Sequence, residues 1–328
     1  SDWSSDVCSS DLQLGSVSFL PVPEAFYKDP KAYGEKPIGN GAYKLVSWKH
    51  GQGAKVIRND DYKGNFPAKN GGIDFRFYTT LDSAYADVQA GNLDLLDQIP
   101  ATSYSSYQKN KNVKVFTAAG SQTQGISIPE RLKHFSGEEG ILRRQAISLS
   151  IDRDLIIKKL FYGTRVKAVD YSAPSITGYT DNLKNKTILE YNPQKGKELW
   201  KKADAISPWD GTLSIAYNAD SSDKQWIEAV LHQLQDNLGV DVQPQSYPTK
   251  KELRTAAVDK TLPTPYQSGW APDYPNIENY LTLRFSSDGG YNEYDYHNDN
   301  VDKILAEGSA APTTDDANAK YQEAEELL

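Results

Sequence analysis

The apolar positions of this chain follow two rhythms, and the rhythm changes about a third of the way along. From Tyr43 to Trp48 apolar and polar residues alternate, and "GAKVIRN" (Gly53 to Asn59) answers across "KHGQG". Period two on both sides of a Gly-bearing connection predicts a β-hairpin. "IDFRFY" (Ile73 to Tyr78) predicts another strand. "DSAYADVQAG" predicts a helix, with Thr79 and Asp82 as its capping box and Gly91 as its C-cap. "LDLLDQIP" is expected to return towards the sheet, and "NVKVF" (Asn112 to Phe116) to form one more strand. The Pro-broken stretch "FLPVPEAF" (Phe19 to Phe26) reads as loop with a short turn. This first part is expected to be α/β with mixed strand pairing.

Helical periods dominate the remaining two thirds. "EGILRRQAISLSIDRDLIIKKLFYGT" predicts one long helix, with Ile147, Ile151 and Leu155 on one face. Asn192 and Pro193 are N-cap and first-turn signals for "PQKGKELWKKAD". "DKQWIEAVLHQLQDNLG" is amphipathic on Trp226, Val230, Leu234 and Leu238, and Gly239 closes it. Thr249 and Glu252 make a capping box for the helix after the strand "VDVQPQSY". "GTLSIAYN" and "TPYQSGW" predict strands, and "NIENYLTLRF", "NDNVDKILAEGSA" and "DDANAKYQEAEELL" predict helices. The last of these has no stop signal, so Leu328 reads as a cut.

Residues 1 to 12, "SDWSSDVCSSDL", have neither rhythm. Their codons can be written as a string resembling a common short-read sequencing adapter, so they are expected to be a non-native tail without packed contacts. Cys8 lies in this stretch and is the only cysteine, so the rest of the chain has no disulfide, thiol nucleophile or Cys metal site. Methionine is absent altogether, as a fragment without its own start would be. No run approaches the ~18 consecutive apolar residues of a membrane span. The net charge of -8 argues against nucleic acid as a partner, because phosphate binding needs a basic face.

Motifs for catalysis and cofactors are missing. The chain contains no G-x-x-x-x-G-K-[ST], H-E-x-x-H or G-x-S-x-G, and "GNGAYK" and "GQGAK" fail the dinucleotide pattern. His50, His134, His232 and His297 are scattered, which fits surface or structural roles rather than ligation. "DYHNDNVDKILAE" lacks the Gly and Glu of a calcium loop and reads as a helix start capped by Asn298 or Asp299. "NKT" (Asn185 to Thr187) fits a glycosylation sequon. No catalytic residue, metal site or cofactor is expected.

Three segments together carry a resemblance. "KPIGNGAYKLVSWKHGQGAKVIRNDDY", "RRQAISLSIDRDLIIKKLFYGTRVKA" and "SGWAPDYPNIENYLTLRFSS" resemble, in order and spacing, the strand hairpin, helix and cleft loop of the solute-binding family 5 proteins of peptide ABC transporters. "YNPQKGKELWKKA" and "KYQEAEELL" fit later helices of that family. The resemblance runs from about Phe19 to Leu328. It implies an α/β, periplasmic-binding-protein-like fold of two lobes joined by a hinge (class II type, large cluster), present as an incomplete fragment. Residues 13–119 would be part of lobe I and residues 120–328 most of lobe II, with the crossing near "AAGSQTQGISI". The first third of the protein and the C-terminal return to lobe I would be missing, leaving a poorly soluble or weakly binding piece.

The implied function is that of a receptor that captures peptides in an interlobe cleft and delivers them to the membrane permease, without catalysis. Its partners would be a peptide ligand and ABC permease subunits, and the complete protein would be a monomer. It would reside outside the cytoplasm, in the periplasm or as a cell-surface lipoprotein. A receptor for varied peptides must hold what all peptides share, the backbone and the termini. The resemblance implies that Asp273 takes the ligand ammonium and that the backbone of Gly269, Trp270 and Ala271 pairs with the ligand. Tyr274, Gln122 and Gln124 complete the expected ligand-binding set. Plainer readings stand beside these: a turn residue at Asp273, core packing at Trp270, a hinge linker at "SQTQG". Gln267 occupies the position where some relatives carry arginine, so charged-side-chain preferences do not transfer. The 21 tyrosines leave an oligosaccharide receptor open, and the many carboxylates a secreted hydrolase.

Overall fold

The computed structural model describes residues 13–328, and the expectations for residues 1–12 lie outside the described residues. The described chain forms two units. One comprises residues 17–115; the other comprises residues 116–328 together with residues 13–16.

The unit of residues 17–115 opens with a 3-10 turn, Val17–Phe19, and two short helices, α1 (Glu24–Lys28) and α2 (Pro30–Glu35). The pattern predicted loop with a short turn over Phe19 to Phe26 and made no prediction for Pro30 to Glu35. Asp29 makes the difference: its carboxylate accepts the Ala32 N–H, and Pro30 occupies the first turn, where its missing N–H costs nothing. The predicted hairpin forms from β1 (Tyr43–Lys49) and β2 (Gly53–Arg58), with a bulge between Leu45 and Ser47. β3 (Gly72–Arg76) pairs with the other edge of β2. All pairing here is antiparallel, not mixed as expected. Cross-strand rows Leu45–Val56–Ile73 and Trp48–Ala54–Phe75 share one face, because side chains alternate along each strand.

Helix α3 (Leu81–Ala90) is capped by Thr80 rather than Thr79. Thr80 has the extended backbone an N-cap needs, and its side chain accepts the Ser83 N–H. Gly91 ends the helix in the left-handed region, with φ 78°. "NVKVF" forms no strand, contrary to expectation. Alternation is not sufficient for a strand: its N–H and C=O groups need a partner edge. No strand of this unit pairs with residues 112–116, and Val115 and Phe116 stay exposed.

The second unit runs β4 (Thr123–Ser127), α4 (Gly137–Leu149), α5 (Arg153–Leu160), α6 (Pro193–Ile206), β5 (Leu213–Asn218), α7 (Lys224–Leu238), β6 (Val242–Tyr247), α8 (Lys250–Val258), β7 (Tyr266–Trp270), α9 (Glu278–Phe285), α10 (Asp299–Ser309) and α11 (Thr314–Glu325). Its sheet order is β4-β7-β5-β6. β5 runs parallel to β6 and β7, while β4 is antiparallel to β7. Among the described residues no helix is long and apolar enough to cross a membrane.

The long helix expected over Ile147, Ile151 and Leu155 is two helices. Ser150 turns its hydroxyl back onto the Ala146 carbonyl, and Asp152 starts α5 by accepting the Leu155 N–H at 2.9 Å. The break resets the helical phase. Ile147 and Ile151 are buried, whereas Leu155 is exposed.

The main core lies between the sheet and the helices α4, α6 and α7. Leu213 and Ile215 of β5 meet Ile227, Val230, Leu231 and Leu234 of α7. A second cluster joins α9, α10 and α11 through Ile277, Leu281, Val301, Leu305 and Tyr321. Arg143 is fully buried, with its guanidinium 4.3 Å from the Trp200 ring. Ion pairs to Glu139 at 3.0 Å and Asp204 at 2.9 Å compensate the charge, as burial requires.

Candidate functional site

β7 brings most of the expected ligand residues to one place. It lies between β4 and β5, but its pairing with β5 is a single bridge, Ala216 to Tyr266. The Ala216 N–H donates to the Pro265 carbonyl at 2.8 Å, which fixes which way each β7 residue faces. Alternation along the strand turns the backbone groups of Pro265, Gln267 and Gly269 to the β5 side, and those of Tyr266, Ser268 and Trp270 to β4. β5 does not pair with β7 past Tyr266, so the N–H and C=O of Gly269 face a side with no strand beside them. That is an edge to which an extended backbone can add. Trp270, by contrast, sits opposite Thr123 in the ladder.

Glycine at 269 has a packing reason. A Cβ there would lie 2.6 Å from the Thr123 carbonyl oxygen, a backbone atom that cannot move aside without opening the β4–β7 ladder. The same ladder sets Gln124 opposite Gly269. The Gln124 side chain donates to Asp223 at 2.6 Å, which also receives the Trp226 indole N–H. Gln122 precedes the strand and is exposed.

The loop after β7 carries Ala271 and Asp273, both exposed. The Asp273 carboxylate has no cationic partner among the described residues, so it is open to an external ammonium. The loop is held from α9. Asn279 accepts the Trp270 indole N–H and the Asp273 backbone N–H, both at 3.0 Å. The Tyr274 hydroxyl donates to Glu278, and the Gln13 side chain donates to the Tyr274 oxygen at 3.2 Å. Burial, and next the bond to Glu278, raise the Tyr274 phenol above its ordinary range, so it stays a neutral donor. Tyr280 is fully buried and donates to the Ser121 carbonyl, tying α9 to the segment before β4. Burial pushes that phenol up to about 12.

The Trp270 ring packs on Ala173, Ile176 and Tyr280 and lies 5.1 Å edge-on from Tyr291. Its plain role in packing is therefore real, and does not exclude contact with a ligand. Sequence reasoning missed Asn279, Glu278 and Tyr280. A polar residue in the first turn of a helix normally faces water, and nothing local marks these as turned inward.

Away from this site, His297, Asp299 and Asp302 bring donor atoms within 4.8 Å of one another at the start of α10. Asn298 caps that helix by accepting the Asn300 and Val301 N–H groups. The His297 and Asp299 side chains are strongly exposed.

An open strand edge beside a clamped, carboxylate-bearing turn offers both backbone groups and a negative charge to whatever lies against it. The chain belongs to the bacterial extracellular solute-binding proteins, family 5, whose middle-region profile matches residues 12–292. The oligopeptide-binding protein OppA of Bacillus subtilis is 25% identical over 306 residues, covering 88% of this chain and 54% of that protein. The solved Escherichia coli murein tripeptide-binding protein MppA superposes with a TM-score of 0.79 at 25% identity, over 97% of this chain and 62% of that one. The periplasmic binding protein DppA of Helicobacter pylori, solved in complex with the peptide STSA, has a TM-score of 0.81 at 21% identity, over 96% of this chain and 61% of that one. The fold class expected from sequence is thus the one found. The chain spans about three fifths or less of each of these relatives' lengths.

Proposed function

We propose that this chain is the ligand-contacting part of a peptide receptor for an ABC importer. The observation that carries the reading is the pairing, on one short segment, of a Gly269 backbone that faces no strand with an Asp273 carboxylate that has no cationic partner among the described residues. The first can bond a peptide main chain and the second its α-ammonium, so no side chain of the ligand need be read. The names of the relatives, OppA and MppA among them, support peptides as the solute. Residues 13–119 are assigned to one lobe and residues 120–328 to the other. Gln122 and Tyr274 are placed at the margin of the site, with Gln124 as a brace through Asp223. The receptor acts without catalysis, outside the cytoplasm, and hands its peptide to the permease subunits.

Isothermal titration calorimetry with free and N-acetylated tetrapeptides tests this. Asp273 is exposed without ligand, and once a bound peptide covers the ion pair, removing one member costs roughly 2–5 kcal/mol. Asp273→Ala should therefore weaken binding by roughly 30-fold to several thousand-fold. Acetylating the peptide should do similar damage, and the two changes together should be less than additive. Full additivity removes Asp273 from the site. Binding of oligosaccharides with none of peptides moves the reading to a sugar receptor.

A further inference from the structure

We propose that Asn279 is the positioning residue of the site: its one carbonyl oxygen sets both the Trp270 ring and the Asp273 carboxylate for the ligand. This rests on the reading of Trp270 and Asp273 as ligand residues.

Asn279 is fully buried. Its Oδ1 has two acceptor sites, and both are used, one by the Trp270 Nε1–H and one by the Asp273 N–H. Among the described residues the Asp273 bond is the one hydrogen bond made by the main chain of residues 271–273. Pro272 has no N–H to offer. Without Asn279 the main chain of residues 271–273 would keep no hydrogen bond among the described residues, and the nearest polar tether would be that of Tyr274 to Glu278.

The anchor itself is rigid. The Ile277 N–H bonds to the Thr177 carbonyl at 3.0 Å, and the Asn276 side chain accepts the Glu278 N–H at 2.9 Å. Leu281, two residues past Asn279, is fully buried in the α9–α11 core. The turn is thus referred to that core through one side chain. Holding a turn in its bound shape before the ligand arrives removes ordering cost from binding, which is how a residue that touches no ligand changes affinity.

Among the described residues the Asn279 Nδ2 is buried with no hydrogen bond of normal geometry, and the Tyr274 hydroxyl is its polar neighbour. Burial of an unsatisfied amide is unfavourable, and natural proteins keep few such groups. An aspartate here would keep the one acceptor oxygen that the Trp270 and Asp273 N–H groups share.

The test compares Asn279→Leu with Asn279→Asp in the 328-residue chain. Amide hydrogen exchange at Asp273 is read without ligand, together with the thermal midpoint and the affinity for unprotected tetrapeptides. Asn279→Leu should speed Asp273 exchange at least tenfold and weaken peptide binding at least tenfold. Asn279→Asp should return both to within about threefold of wild type. The proposal is overturned if Asp273 exchange is unchanged in Asn279→Leu, or if Asn279→Asp is as impaired as Asn279→Leu at both readouts. If Asn279→Leu does not fold, the Asn279→Asp comparison with wild type decides on the same threefold limit. Should the wild type bind no peptide, the reading of the site fails, while the exchange data still decide whether Asn279 holds the turn.

Discussion

Residues 17–115 and residues 116–328 obey the same local rules and end in different states of burial. Both have a threonine-capped helix, at Thr80 and Thr249, and a helix closed by a left-handed glycine, at Gly91 and Gly239. Both contain a sheet with an apolar face. In the second unit that face is covered: Leu213 and Ile215 are 2% exposed and Ile227 and Leu234 are at 0%. In the first, the buried apolar side chains among the described residues are Ala84, Tyr85 and Tyr107, while Trp48 and Phe75 on the sheet remain 42% and 46% exposed. Caps and turns shape elements, whereas stability comes from a second layer laid over the sheet.

The largest test of that contrast is a pair of core truncations. Leu234→Ala should cost about 2–5 kcal/mol, the range for removing a buried leucine side chain. Phe75→Ala should cost about 1 kcal/mol or less, since half its surface already meets water. Urea denaturation of both variants measures this. Equal losses would show that the sheet of residues 17–115 is as deeply buried in solution as the core of the other unit.

A second effect, confined to the second unit, is its response to pH. Burial, and then the neighbouring Asp170 carboxylate, push Glu325 up from 4.5 to about 10. The folded state therefore holds a proton that the unfolded state has released. The stability this proton contributes is fully present below about pH 4.5 and is lost as the pH rises towards about 10. Melting of the wild type should fall across that window, and Glu325→Gln, which keeps the Tyr171 N–H partner but cannot ionise, should flatten the slope. An unchanged slope in Glu325→Gln removes Glu325 as its source.

The smallest effects should be of similar size in both units. Thr249→Ala removes one half of a complete capping box, and Thr80→Ala removes a single cap. Each should cost about 1 kcal/mol, with Thr249 the larger. Hydrogen exchange in the first turns of α8 and α3 reads these locally. A Thr80 effect several times the Thr249 effect would mean that the first unit depends on its one long helix more than its burial suggests.

Legibility followed the range of the interaction. The hairpin, the Thr249–Glu252 box, the Asn192–Pro193 start and the buried stripe of α7 were readable because each depends on residues a few positions apart. "NVKVF" misled because its alternation promised a strand whose partner edge its unit does not provide. The long helix misled because Ile147 before the break and Ile151 within it are both buried, and only Ser150 and Asp152 reveal the break. The segment bearing Gly269 and Asp273 stood out through its resemblance to a family. Its brace, Asn279, did not, because an asparagine in a helical first turn looks the same whether it faces water or a buried turn.

Local sequence accounts for the order and type of most elements, their caps and stops, and the absence of recognised catalytic motifs. These depend on dihedral preference and spacing, which act over a turn or two. Tertiary packing alone accounts for a Gly269 backbone turned to a side without a strand, for the engagement of Gln124 by Asp223, and for one buried carbonyl that holds both the ring and the turn. These depend on which strand ends first and which helix face turns inward, and burial settles that across distances no local pattern spans.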